Sequence, residues 1–250
     1  MIGDVRLIQL ASAALAAYGL LVGASASAQG VKIGILNDQS GVYADYGGKW
    51  SVEAAKMAIE DFGGNVLGQK IELVDADHQN KPDLAGNIAR RWYDVEGVDM
   101  ITDLTSSAVA LAVQQIAGEK KKIDIVVASA TSKLTGSACT PYGFHWAFDT
   151  HALAVSTGGA LVKTGGDSWY FVTVDYAFGH ALEKDTSDIV KADGGQVLGS
   201  VLTPLNTSDF SSFLLQAQAS KARLEGWSRD CERLTFFELR YDGLAGRGRF

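Results

Sequence analysis

From residue 31 onward, short apolar runs alternate with stretches in which apolar residues recur every three or four positions. Val31 to Leu36, Lys70 to Asp75, Asp99 to Thr102 and Ile123 to Val127 read as strands. Between them, Ala55, Ala58, Ile59 and Phe62 share one helical spacing, as do Val109, Ala112, Val113 and Ile116, so each set marks a buried helix face. Pro82 suits a first helical position, because its missing N–H is one that a helix start leaves unpaired anyway. It opens a helix through about Tyr93. Strands alternating with helices predict a parallel sheet covered by helices, an α/β chain.

Ser129 to Asp149 is polar, aromatic and turn-rich, and reads as a crossing between lobes. A second series follows: a helix near Ala152 to Lys163, a strand at Trp169 to Val174, a helix from Ala177 to Lys191 and a strand at Gln196 to Leu202. Thr207-Ser208-Asp209 then opens a helix with Phe210, Phe213, Leu214 and Ala217 on one face. At Ala222 the character changes. Residues 1–222 hold all 13 Lys and three Arg, whereas the last 28 residues hold six Arg, no Lys and neither helical nor strand period. Translation of GC-rich DNA in a wrong frame would produce such a tail, so residues 223–250 are expected to be aberrant and disordered.

Composition narrows the class. A hydrophobic share of 47% supplies a sizeable core, and a net charge of −7 argues against nucleic acid or an anionic membrane as partner. Residues 1–28 carry Arg6, an apolar run from Leu7 to Val22 and Ala26-Ser27-Ala28, the layout of a secretory signal peptide cleaved near Ala28. An exported chain is the expectation. Cys139 and Cys231 lie in different contexts and predict no disulfide.

Catalytic signatures fail one after another. Gly63 to Lys70 misplaces the Lys of a phosphate loop and lacks its hydroxyl, and no Gly-x-Ser-x-Gly elbow is present. The four His show no metal spacing, and Asp75, Asp77 and His78 read as turn residues. No enzyme, cofactor or metal is expected. What remains is the polar loop Leu36 to Gly47, which leaves the carboxyl end of the first strand, where open α/β sheets bind ligands.

Several ordered motifs carry a resemblance. The signal-like start, Val31-Lys32-Ile33-Gly34-Ile35-Leu36, Ser40-Gly41, Tyr46-Gly47, Asp77 to Asp83, Thr105-Ser106-Ser107 and Asp175-Tyr176-Ala177-Phe178-Gly179 are similar to those of branched-chain amino acid periplasmic substrate-binding proteins of ABC importers. The resemblance implies a type I periplasmic-binding-protein fold of two doubly wound lobes with parallel sheets. A first lobe would span residues 29–148 and a partial second lobe residues 149–222, and a monomer would close on a small amino acid, carboxylate or amide for a membrane permease. By resemblance, Ser106 and Ser107 hold a ligand carboxylate, Thr131 acts through its hydroxyl and Ser129 through its carbonyl, and Tyr46 and Phe178 supply aromatic walls. Asp38 stands where the family often has an uncharged residue, and either pairs with a ligand or caps the turn. Family members continue beyond the point where this pattern stops, so the second lobe is expected to be incomplete and binding impaired. A ligand sensor of the same fold and a non-functional fragment are the alternatives.

Overall fold

The structure is a computed structural model and describes residues 30–227. The expected signal peptide and most of the expected aberrant tail lie outside those residues. In chain order the first group of elements is β1 (Lys32–Asn37), α1 (Gly48–Asp61), the hairpin β2 (Asn65–Val66) and β3 (Gln69–Lys70), β4 (Glu72–Asp77), α2 (Pro82–Asp94), β5 (Met100–Asp103), α3 (Ser107–Lys120), β6 (Ile123–Val126), a 3-10 turn (Ser132–Leu134) and β7 (Gly143–His145). The second group is α4 (Thr150–Leu153), a π-helical segment (Ala154–Gly159), α5 (Ala160–Lys163), β8 (Ser168–Val174), α6 (Ala177–Ala192), β9 (Gln196–Thr203), α7 (Ser211–Ser220) and β10 (Leu224–Trp227).

Two parallel sheets result, ordered β4-β1-β5-β6-β7 and β10-β8-β9. This is the α/β architecture that the alternation predicts. In the first sheet, Leu36, Ile101 and Val126 pack with Trp92, Val109 and Val113 of α2 and α3. Each large apolar side chain so buried contributes about 1.5–3 kcal/mol. Gly34 of β1 is required by this packing, since a Cβ there would lie 2.5 Å from the Trp92 ring. The smaller core of the second sheet joins Trp169, Phe171 and Val190.

Three differences from the sequence pattern have physical causes. On α1 the buried residues are Gly48 and Val52, while Ala58 and Phe62 of the predicted face are exposed. Periodicity finds an apolar face but does not say whether a neighbour covers it. The crossing contains β7, three residues too short to show a period, which extends the first sheet beside β6. Leu224–Trp227, part of the segment expected to lack structure, forms β10 against β8. Backbone pairing with an existing strand needs no side-chain pattern, so composition gave no sign of it.

Candidate functional site

The loops leaving β1, β5 and β6 meet at the carboxyl edge of the first sheet. The Asp38 amide donates to Thr105 Oγ1 at 3.4 Å, and the Leu104 amide donates to the Leu36 carbonyl at 3.1 Å. The Ser129 hydroxyl donates to the Leu104 carbonyl. These bonds make one surface of three loops.

Asp38 is fully buried, and its two oxygens accept from the amides of Gly41, at 2.8 Å, and Tyr43, at 3.0 Å. Of the two roles open to it from sequence, the turn-capping one is what the geometry displays. Gly41 fits this turn because a Cβ would lie 2.5 Å from the Asp38 carboxylate. Beneath the loop, the buried Asn37 amide donates to Asp103 Oδ2 at 2.8 Å and to the Gly48 carbonyl at 2.6 Å. Burial pushes the Asp103 carboxyl above its ordinary pKa, against the opposing bonds from Asn37 and Ser51.

Ser106 takes the N-cap position of α3 with extended backbone, yet its hydroxyl makes no capping bond. It is fully buried, and its Oγ has no hydrogen-bond partner among the described residues. Thr131, on the loop after the neighbouring strand β6, is in the same condition: fully buried, with Oγ1 unpartnered. A buried hydroxyl without a partner costs about 1–3 kcal/mol by mutational measures. Two such hydroxyls lie on adjacent strand ends, one at a helix start whose N–H groups and dipole favour anions, so both are placed as donors of the kind a carboxylate accepts from. Ser107 is buried beside Ser106 as the first residue of α3. The Ser129 carbonyl accepts from His145 Nε2 at 2.6 Å, which leaves one lone pair for a further donor.

The aromatic positions divide. Tyr46 is 52% exposed on the β1 loop. Phe178, half-buried in the first turn of α6, lies with its ring centroid 6.0 Å from that of Tyr176. The Tyr43 hydroxyl donates to the Tyr176 hydroxyl, joining the two sheets. Neither tyrosine is singled out by sequence; the motif containing Tyr176 was the available signal. A second bridge runs from Ser132 Oγ to Asp185 Oδ2 at 2.7 Å, and the same oxygen accepts from Thr150 Oγ1 at 2.6 Å. Among the described residues no His, Cys, Asp and Glu cluster could hold a metal ion, and no helix is long and apolar enough to cross a membrane. His78 is buried in its turn, with Nδ1 accepting from the Asn80 amide at 3.0 Å.

Residues 30–224 match the periplasmic binding protein family over most of the chain. The chain belongs to that family. A crystal structure of a periplasmic binding protein from Burkholderia mallei is 56% identical, with a TM-score of 0.78 over 80% of this chain and 54% of that one. A solute-binding protein of an ABC transporter from Rhodopseudomonas palustris BisB5, in complex with 3,4-dihydroxybenzoic acid, is 27% identical, with a TM-score of 0.70 over 80% of this chain and 54% of that one. Among curated relatives, Leu/Ile/Val-binding protein homolog 4 of Brucella abortus (strain 2308) is 26% identical over 238 residues, 88% of this chain and 56% of the relative. The chain thus spans about half the length of the curated relatives it matches. The type I fold with parallel sheets flanked by helices is that of these neighbours.

Proposed function

We propose that this chain belongs to the extracytoplasmic solute-binding component of an ABC importer and grips a small carboxylate between its two sheets. The solute is an amino acid or an aromatic acid, the two chemistries named among the relatives. The protein works in the periplasm after export through a leader cleaved near Ala28. It acts as a monomer without cofactor or chemistry of its own, and delivers solute to a membrane permease.

The observation that carries this reading is the pair of buried, unpartnered hydroxyls at Ser106 and Thr131. Each is a donor with no acceptor among the described residues, and a carboxylate supplies two oxygens. Ser107 and Ser129 complete the polar wall, Tyr46 and Phe178 flank the solute body, and Asp38 holds the turn in shape.

Calorimetric titration of the full chain with L-leucine and with benzoate tests the proposal. Weak, saturable binding of either probe is expected, because an incomplete second lobe lines only part of the cleft. Ser106→Ala and Thr131→Val should each weaken it by about 10-fold or more, the loss typical of a hydrogen bond to a charged group. Saturable binding that both variants leave unchanged would overturn this assignment of the site.

A further inference from the structure

We propose that the hydroxyl pair of Tyr43 and Tyr176 is the lock that holds the two sheets closed over a solute; this rests on the solute-binding reading above. The pair joins segments separated by 133 positions, one on each sheet. A second bridge, through Asp185, is different in kind, because its partners Ser132 and Thr150 lie in the chain crossing and at its end. A contact on the crossing turns with the hinge. A contact between loop tips must break when the sheets part.

Both hydroxyls are delivered by stiff supports. The Tyr43 amide donates to Asp38 Oδ2 at 3.0 Å, and its carbonyl accepts from the amides of Tyr46 at 3.0 Å and Gly47 at 3.3 Å. Asp38 in turn donates through its own amide to Thr105, the neighbour of Ser106. Tyr43 is therefore fixed relative to the proposed carboxylate site. On the other side, the Tyr176 amide donates to the Val174 carbonyl at 2.9 Å, and the Tyr176 carbonyl accepts from the His180 amide at 3.1 Å. The Tyr176 ring rests near Phe178. Closing the sheets brings two prepositioned phenols together without reshaping either loop.

The chemistry suits a reversible lock. A bond between two hydroxyls is made and broken without separating formal charges. One neutral hydrogen bond biases an equilibrium by about 2- to 10-fold. That is enough to favour the closed form when solute adds its own contacts, and too little to hold it shut alone.

Small-angle X-ray scattering of the full chain, without any solute, tests the lock through the ratio of closed to parted sheets. Tyr43→Phe and Tyr176→Phe keep the rings and remove one hydroxyl each. Each should lower that ratio by about 2- to 10-fold, and the double variant should lower it no further than either single one. An unchanged ratio in all variants, or losses that add in the double variant, would overturn the lock. Titration with L-leucine and benzoate then separates the two proposals. If neither probe binds the wild-type chain, the solute reading fails while the scattering result still decides the lock. If a probe binds all variants as it binds the wild type, the lock is refuted and the solute reading stands.

Discussion

Asn37 at the end of β1 donates to Asp103 at the end of β5, at 2.8 Å, and with its second amide hydrogen reaches the Gly48 carbonyl at the start of α1. One side chain thus ties two strands and a helix together beneath the loop that carries Ser106. Asn37→Ala would leave the buried Asp103 short of a donor. A destabilisation of about 2–3 kcal/mol is expected, the range for losing a bond to a charged buried group. A denaturant titration with an unchanged slope and a lower midpoint would show it, and an unchanged midpoint would mean that Asp103 finds another donor.

The unpartnered hydroxyls predict the opposite behaviour in the absence of solute. Ser106→Ala and Thr131→Val each remove a group that makes no bond among the described residues. The solute-free chain should be as stable as before, or more stable by about 1 kcal/mol from the desolvation relieved. Thermal melting checks this. A clear loss of stability would show that these hydroxyls are structural.

Two buried titratable groups oppose each other in their pH dependence. Burial pushes the Asp124 carboxyl, whose oxygens have no partner among the described residues, from 3.8 up to about 7. Its contribution is present below the unfolded pKa and is lost as pH rises through about 7. Burial lowers His78 from 6.5 to about 4, although Asp38 and Asp77 oppose the shift. Its contribution is present above the unfolded pKa and is lost as pH falls through about 4. Each slope is about 1.4 kcal/mol per pH unit, so between about pH 4 and 6.5 they nearly cancel. Asp124→Asn should make stability rise with pH across that window, and His78→Asn should make it fall. Parallel denaturation curves for both variants and the wild type would refute this pairing.

Gly179 lies in the first turn of α6, where a Cβ would meet the Val174 carbonyl at 2.0 Å. The obstacle is backbone, which cannot swing aside. Gly179→Ala should destabilise the chain by about 1–3 kcal/mol, the usual cost of overpacking. It should also loosen protection of the His180 amide, because the helix start must back away from β8. Wild-type exchange at His180 would mean that the helix yields without moving.

The strands and helices around the first sheet were legible because their apolar residues follow simple periods and Pro82 marks the start of α2. β7 and β10 were not: β5 and β6 are as short as β10 but follow the strand–helix alternation, whereas β7 lies in the turn-rich crossing and β10 where the pattern stops, and both are held by backbone pairing. The same division holds at the site. Ser106, Ser107, Ser129 and Thr131 were nominated through the resemblance of their motifs to a family. The burial that leaves Ser106 and Thr131 without partners, and the meeting of Tyr43 with Tyr176, depend on how loops from distant sequence converge. Asp38 shows a further limit, since a carboxylate in a polar loop looks the same whether it faces a solute or, as here, caps its own turn.

Where β5 ends and the chain turns toward Ser106, two successive residues have positive φ, Asp103 at 83° and Leu104 at 55°. Asp tolerates this region better than most residues; a bulky Leu does not, and such conformations cost on the order of 1 kcal/mol or more. Leu104 is held there by complete burial and by its amide bond to Leu36. A segment already bent against its preference, and braced on both sides, behaves as a plate rather than a spring. Selectivity at the proposed site would then be a matter of which molecules fit a fixed outline.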